Sequence, residues 1–583
     1  MTTRQLRFRP QDKRLLQSDN PMHPSLQKLL TGRAIESLAD VHYSLDQMLA
    51  PGVIRNIDAA SDLLAQQLQG GKSILVFGDY DADGATSTAL CMRALTMMGA
   101  QSPAFLMPDR FLDGYGLSAP IARRIIDLAP DCVITVDNGI ASLDGIAALR
   151  AQQIEVIVTD HHLPASSLPD ASVILNQNAW PDETQGRNLA GVGVVFYLML
   201  ALRSRLRESG WFDETRPEPN LADCLDLVAI GTIADLVPLD FNNRLLVSEG
   251  LKRIRAGHCS AGIAALCEVA GKPLEYLCSS DIGFAIAPRI NAAGRLEDIS
   301  IGVRCLLADR QHQAHLLAQQ LEQINSERKQ IQQQMSAEAS AIMATLDGAE
   351  IDASHAIVLF HPDWHEGLVG IIAARIRESY HRPSIVFAAG ETGILKGSGR
   401  SIDGIHLRDT LDWVDKNYPG LIDKFGGHAM AAGLSLAADR LAEFEMAFKL
   451  AVSTIAGGES FDEVIECDGE LEDDCHNLEF ALQLQALSPW GQHFPVPSFV
   501  GEFEVVEQRV LAGKHLKLQL TRAGKGFADV EAIAFFQPEP LLQQQFEKLR
   551  IHYQLDVNRF RGQQTLQLLV QHILDEDANS VVE

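Results

Sequence analysis

Short apolar runs alternate with helix-spaced mixtures along the first half of the chain. Residues 34 to 70 mix polar and apolar positions at helical spacing and predict helix. Ser73-Ile-Leu-Val-Phe77 is a run of strand formers that ends in Gly78-Asp-Tyr-Asp-Ala-Asp-Gly84, and helical spacing resumes from about Ala85 to Met98. The pattern repeats twice. Cys132-Val-Ile-Thr-Val136 ends in Asp137-Asn-Gly139, and Glu155-Val-Ile-Val-Thr159 ends in Asp160-His-His162. Strands alternating with helices predict parallel βαβ units. Open parallel sheets gather their functional groups past the carboxyl ends of the strands, and here three successive runs end in carboxylate or imidazole side chains.

Further along, apolar residues at Leu225, Val228, Ala229, Ile233 and Leu236 predict a mostly buried helix that carries Asp235. A buried carboxylate needs a cation or hydrogen bonds. Residues 308 to 345 are polar and Gln-rich. Leu317, Leu321, Ile324, Ile331 and Met335 form a heptad-like seam interrupted by Arg328. This reads as a long helix joining two domains, or as a helix buried within one. Residues 353 to 455 return to mixed α/β, with strands at Ala356–Phe360 and Ser384–Phe387 and Gly-rich turns at Lys396–Ser401 and Phe425–Met430. After residue 461 short alternating runs (Phe499–Val506, His515–Leu520, Ala532–Phe536, His552–Val557, Leu566–Val570) predict a small antiparallel barrel. Residues 575 to 580 read as a frayed tail.

Composition adjusts this picture in three ways. A length of 583 residues with 46% apolar and 21% charged content fits three or four globular domains rather than disorder. The net charge of −27 argues against a general nucleic-acid coat protein but leaves room for a local basic channel. The nine cysteines form no C-x-x-C pair, which speaks against structural zinc or a disulfide framework and for a reducing cytosol. The basic N-terminus (Arg4, Arg7, Arg9, Lys13, Arg14) has no apolar core of a secretory signal, and the longest near-apolar stretch, Leu189 to Leu202, is too short to span a bilayer. The expectation is a soluble, cytoplasmic monomer.

Asp81 and Asp83 lie two apart on a turn after a strand, so both can face one crevice. Asp137 comes from a neighbouring strand end and can bridge, and His161 supplies imidazole. A lone Asp after a strand is ordinarily a cap or turn former, and a tandem His pair is often incidental. The full set, at three strand ends of one βαβ run, points instead to divalent metal. Two cations about 3.5–4 Å apart can activate water and stabilise a phosphoryl oxygen. Carboxylates suit Mg²⁺, and a mixed Asp/His set suits Mn²⁺ as well. Two decoys fail. Gly71-Lys-Ser73 precedes a strand and lacks the first P-loop glycine, since residue 66 is Gln. His365-Glu366 lacks the second His of a zincin, since residue 369 is Val.

Asp81-Ala-Asp83, Thr135-Val-Asp137-Asn-Gly139, Asp160-His-His162 and Gly231-Thr-Ile-Ala-Asp-Leu-Val-Pro238 resemble the successive motifs of the DHH phosphoesterase superfamily. Within it the chain is most similar to the bacterial single-strand-specific 5′→3′ DNA exonucleases. Matching tracts include Pro108–Gly116, Pro288–Arg295, Trp364-His-Glu-Gly367, Gly397–Ser401 and Gly426-Gly-His428. The resemblance implies an α/β protein arranged as an N-terminal helical or extension segment (1–60), a parallel-sheet DHH catalytic domain (61–305), a connecting helix (306–350), a DHH-associated α/β domain (351–456) and an antiparallel barrel of OB type (457–583). It implies Asp81, Asp83, Asp137, His161 and Asp235 as ligands of two Mn²⁺ or Mg²⁺ ions, with His162 beside the metals and the scissile phosphate. Many members carry a His four residues before the first ligand Asp. Here Phe77 stands there, so either the first metal binds weakly or Asp79 helps to hold it.

The resemblance further implies that Arg110, Ser398 and Arg400 grip the 5′-terminal phosphate, and that Arg289, Arg295 and His428 serve the phosphate being cut. Structural ion pairs are the alternative for Arg289 and Arg295. In the barrel, Lys514, His515, Lys517, Arg559 and Arg561 stand near Phe494, Phe535 and Phe560, a mixture that suits single-strand binding, although for each phenylalanine taken singly barrel core is the readier reading. The expected activity is two-metal hydrolysis of single-stranded DNA from the 5′ end, releasing 5′-mononucleotides in repair and recombination. A single-strand-binding protein and a RecQ-type helicase are the implied partners. Two rivals are a DHH phosphodiesterase of short oligonucleotides or cyclic dinucleotides, and a replication scaffold with a dead core. The barrel and connecting helix argue against the first, and the intact acids and histidines against the second.

Overall fold

The apolar runs become two sheets and a barrel. The computed structural model describes residues 4–10, 22–114, 116–345, 355–390, 393–457, 461–522 and 527–574. Lys13, Arg14, Tyr115 and the tail at 575–580 lie outside the described residues. The chain divides into two compact units. One comprises Arg14–Asn325 with Gln483–Val496, and the other comprises Met1–Lys13, Ser326–Leu482 and Pro497–Glu583. Strand β1 (Arg4–Phe8) belongs to the latter.

The first unit is built on β2 (Ile74–Phe77), β3 (Ala104–Leu106), β4 (Cys132–Val136), β5 (Glu155–Thr159) and β6 (Val173–Leu175). Their order is β3-β2-β4-β5-β6, and every pairing is parallel. Successive side chains of a strand face opposite sides of the sheet. Ile74, Val76, Ile134, Val136 and Ile157 therefore enter one core with Leu64, Leu90, Val195 and Val228 from helices Ile57–Gln69, Ala82–Met97, Gly191–Glu208 and Leu225–Ala234. Leu75, Phe77, Val133, Val156 and Val158 enter another with Ile121, Ile125, Ile146 and Leu149 from helices Ala119–Asp127 and Leu143–Ala151. Burial on both faces explains why these strands read as unbroken apolar runs.

The helix expected over residues 34 to 70 is confined to Ile57–Gln69. Before it the chain makes 3₁₀ turns at Leu38–Val41, Leu45–Gln47 and Pro51–Val53. Ser37 with Asp40 and Ser44 with Gln47 close two of them as local capping boxes, and Pro51 cannot continue a helix. The long helix runs over Gln311–Thr345, and the boundary between the units falls inside it. Its buried stripe is Ala314, Ala318, Leu321, Ile324, Met335, Ala339 and Met343; Leu317 and Ile331 of the expected seam are only half-buried.

In the second unit β7 (Ile357–His361), β8 (Ser384–Ala389), β9 (Ile394–Arg400), β10 (Lys424–Gly427) and β11 (Ala431–Ala437) form a mixed sheet in the order β10-β11-β9-β8-β7. The Gly-rich tract at 396–400 is thus strand and not turn. Gly397 is required because an added Cβ would lie 2.4 Å from the Phe387 ring. In the second Gly-rich tract Phe425–Gly427 is also strand, and only 428–430 turns. Strand β1 pairs in parallel with β12 (Glu463–Cys467). Strands β13 (Phe499–Leu511), β14 (His515–Thr521), β15 (Val530–Ala534), β16 (Lys548–Phe560) and β17 (Gln563–Leu574) close into a barrel. Its pairs are antiparallel except for β15 with β17. Phe494 is not part of this barrel. It stacks on Trp490 at 4.9 Å within the core of the first unit. Among the described residues no helix is long and apolar enough to cross a membrane.

Candidate metal centre

The carboxyl ends of β2, β4 and β5, with the end of helix Leu225–Ala234, bring seven ligand-type side chains together. After β2, Asp79 Oδ1 accepts the Tyr80 N–H at 2.7 Å. Asp81 caps helix Ala82–Met97, accepting the Gly84 N–H at 3.0 Å. Asp83, one residue into that helix, accepts the N–H groups of Gly191 at 2.6 Å and Val192 at 3.0 Å. These donors open helix Gly191–Glu208, whose positive end favours a carboxylate. Asp137 follows β4 with φ of 63°, a left-handed conformation that Asp adopts more readily than most side chains. Gly191 also lets it in, since an added Cβ there would lie 2.6 Å from the Asp137 Cβ. Asp235 follows helix Leu225–Ala234.

His161 Nε2 lies 3.1 Å from Asp137 Oδ1 and 3.4 Å from Asp235 Oδ2. Ligand atoms of Asp79, Asp81 and Asp137 lie within 4.8 Å of one another, as do those of Asp83, His161 and Asp235, and those of Asp137, His161 and His162. Asp137 is common to two of these groups and His161 to two.

The electrostatics call for cations. Oδ1 of Asp137 is buried and receives no hydrogen bond. Among the described residues none of the five aspartates Asp79, Asp81, Asp83, Asp137 and Asp235 forms an ion pair with Lys or Arg. Burial first, and then the Asp81 charge, push Asp79 up to about 8 and Asp83 up to about 7. Burial and the neighbouring Asp83 raise Asp137 and Asp235 well above the usual carboxylate range. So many buried acids cannot all ionise without a compensating charge. Oxygen-rich donors with one imidazole fit Mn²⁺ and Mg²⁺.

Asp160 is a different kind of acid. It accepts the N–H groups of His161 at 2.7 Å and His162 at 3.0 Å, Nδ1 of His162 at 2.8 Å, and the Ile140 N–H at 2.9 Å. Burial opposes its charge, but the hydrogen bond and charge of His162, with His161, outweigh burial and hold it below the usual range. In return, burial works against charge on His162, while Asp160, Asp235 and Asp79 raise it to about 9. Asn176 and Asn178 donate to the carbonyls of His162 and His161 at 2.8 and 2.5 Å. Sequence reasoning missed these three supports. Asp160 had a signal, since it adjoins both histidines; the two asparagines had none.

The other sequence-predicted residues divide. The Arg110 guanidinium lies 4.5 Å from the Tyr80 ring centre, beside Asp79. Arg295 ends helix Ala287–Leu296. Arg289 on the same helix is buried, pairs with Glu322 and donates to the Ala285 carbonyl at 2.6 Å. In the second unit Arg400 donates to Ser398 Oγ at 3.2 Å and to the Gly399 carbonyl at 2.8 Å. Gly370, beside the start of helix Val369–Tyr380, backs both side chains: an added Cβ would lie 2.9 Å from Ser398 Oγ and 3.1 Å from Arg400. His428 donates its N–H to Ala431, which is registered opposite Arg400, so all three gather at one end of the sheet. Lys517 in the barrel is held by Glu531 at 2.5 Å.

The sequence matches the DHH family, N-terminal domain, over residues 73–232, the DHHA1 domain over 353–454 and the RecJ OB domain over 467–572. It is 46% identical to the single-stranded-DNA-specific exonuclease RecJ of Haemophilus influenzae, over 94% of this chain and 96% of that one. To the RecJ of Escherichia coli it is 44% identical over the same shares. The fold matches the crystal structure of Thermus thermophilus RecJ in complex with Mn²⁺ with a TM-score of 0.79 at 28% identity, covering 99% of this chain and 80% of that one. Similarity at this level over nearly the whole length, with all three domain matches in order, places the chain in the RecJ family of DHH exonucleases.

Proposed function

We propose that this protein hydrolyses single-stranded DNA from the 5′ end and releases 5′-mononucleotides. The observation that carries the reading is the buried carboxylate of Asp137, common to two groups of ligand-type side chains. Asp79, Asp81, Asp83, Asp137, His161 and Asp235 would hold two Mn²⁺ or Mg²⁺ ions, with Asp79 taking up the place that Phe77 leaves unfilled. When bound, such a pair supplies an activated water and charge stabilisation at the phosphoryl oxygen. The protein's own groups do the rest. Asp160 fixes the His162 ring through Nδ1, so Nε2 is the atom that acts on the scissile phosphate or its leaving oxygen. Arg110 and Arg295 present guanidinium charge to substrate phosphate. Arg289 is reserved for the phosphate being cut only if it exchanges Glu322 for it.

Ser398 and Arg400 form an anion cradle in the second unit, to which we assign the 5′-terminal phosphate, with His428 beside it. A fixed grip on the chain end selects exonucleolytic cutting. The barrel is assigned to the rest of the strand. The proposal extends to a role in repair and recombination, with a single-strand-binding protein and a RecQ-type helicase as partners, for a protein acting in the cytoplasm as a monomer.

The test is digestion of single strands labelled at either end, with Mn²⁺ or Mg²⁺ added to stripped protein. Early release of the 5′ label as a mononucleotide is expected. Early release of the 3′ label, or equal digestion of duplex, would overturn it.

A further inference from the structure

We propose that Tyr80 is a positioning residue that holds the Arg110 guanidinium at the metal centre for a substrate phosphate. Tyr80 stands in the chain between the metal-type carboxylates Asp79 and Asp81. What it touches is Arg110, whose guanidinium carbon lies 4.5 Å from the ring centre. That distance is well inside the reach of a cation–π contact.

The surroundings are built to keep both partners still. Tyr80 is locked from behind by helix Ala287–Leu296. Asn291 of that helix accepts the Ala82 N–H at 2.8 Å, and Gly294 approaches so closely that an added Cβ would lie 1.9 Å from the Tyr80 carbonyl oxygen. The segment carrying Arg110 is a self-closed turn. Asp109 accepts the N–H groups of Phe111 and Leu112 at 2.8 and 3.1 Å, and Asp113 accepts the Asp109 N–H at 2.8 Å and pairs with Arg124 at 2.9 Å. Both acids of this turn are therefore committed, and among the described residues Arg110 forms no ion pair. A guanidinium beside a strongly acidic centre would otherwise collapse onto the nearest carboxylate and displace a cation. The ring face holds it without consuming its N–H donors, which stay available for a phosphate.

This inference rests on the reading that Arg110 contacts substrate phosphate, and the experiment separates the two. Steady-state kinetics on a single-stranded oligonucleotide, repeated over a range of salt, would compare wild type with Tyr80→Leu, Tyr80→Phe, Arg110→Ala and the Tyr80→Leu/Arg110→Ala pair, with Mn²⁺ binding measured by calorimetry for each. Tyr80→Leu should raise KM about tenfold, the scale of one cation–π contact, while kcat changes little. It should also lower the salt slope of binding by about 1, as loss of one phosphate contact does. Tyr80→Phe keeps the ring face and should restore wild-type KM, and Tyr80→Leu should add nothing to Arg110→Ala. If Arg110→Ala raises KM but Tyr80→Leu does not, the positioning role is wrong and the Arg110 reading stands. If Arg110→Ala leaves KM and the salt slope unchanged, the Arg110 reading fails and this inference with it. If Tyr80→Leu loses Mn²⁺ binding, the residue serves the ligand loop and the inference is overturned.

Discussion

Nδ1 of His162 lies 2.8 Å from Oδ1 of Asp160, a carboxylate that also receives the backbone N–H groups of both histidines. One buried acid therefore sets the His162 ring orientation and the backbone of the tandem pair. Asp160→Asn keeps the shape and removes the charge. It should lower activity about 10–100-fold, the usual cost of losing such a support behind a metal site. Binding of Mn²⁺ by calorimetry should remain, because Asp160 itself belongs to none of the ligand groups. Unchanged turnover would mean that the pair is held by Asn176 and Asn178 alone.

Asp137 is shared between ligand groups and occupies left-handed backbone, so its removal should do more than remove one donor. Asp137→Ala is expected to cut kcat by about 10³ or more, consistent with the several kcal/mol a metal pair contributes. The Mn²⁺ stoichiometry should fall from two to one at most. Retention of two bound ions would remove the bridging role.

The raised carboxylates make stability depend on pH and metal together. In stripped protein Asp79 titrates at about 8 and Asp83 at about 7, above the ordinary value of 3.8. The folded form thus keeps protons that the unfolded chain has already released. Their contribution is fully present below the unfolded pKa and is lost as pH rises through the folded values. Metal takes the place of those protons, so its benefit grows with pH. Thermal unfolding should show Mn²⁺ raising Tm more at about pH 8.5 than at about pH 6. A metal-induced shift that shrinks as pH rises would contradict the assignment.

Much of this centre could be read before any coordinates, because parallel strands of apolar residues deliver whatever follows them to one edge. Asp81, Asp83, Asp137 and His161 are each at or just past a strand end. The supports were less legible. Asn176 and Asn178 reach the histidine backbone from a loop that carries no periodic signal. Arg289 finds Glu322 across 33 positions of chain, and nothing local announces the pair. Gly397 and Gly399 read as a turn because glycine favours turns; here Gly397 makes room on a strand for the Phe387 ring and Gly399 for Leu407 and Ile385. Phe494 was misplaced because sequence order puts it beside the barrel, while Arg244 lies over its ring at 4.3 Å in the other unit.

Gly191 offers a test of packing against chemistry. A methyl group there would lie 2.6 Å from the Asp137 Cβ and 2.7 Å from its Oδ1. Gly191→Ala must therefore displace the shared carboxylate or the helix start that holds Asp83. The expected outcome is about a hundredfold loss of kcat, as for a displacement of about 1 Å at a reacting centre. The stability cost should be modest, about 1–3 kcal/mol by chemical denaturation.

Phe535 and Phe536 are 48% and 70% exposed, so they are not core. The His515 ring packs edge-on against both, at 5.2 and 4.8 Å, and Lys514 Nζ lies 5.5 Å from the Phe536 ring centre. The Phe536 N–H is anchored on His515 Nδ1 at 3.0 Å, which holds an exposed apolar turn in place. Rigid rings with an adjacent cation are what successive unstacked bases require. Lys517, by contrast, is neutralised by Glu531. The double change Phe535→Ala/Phe536→Ala should therefore weaken binding of a long single strand by about 1–3 kcal/mol per base released. Lys517→Ala should have a much smaller effect. Hydrolysis of a dinucleotide, which offers the barrel no run of bases to stack, should be unaffected by either. An equal loss on dinucleotide and long strand would place the defect in folding and not in strand binding.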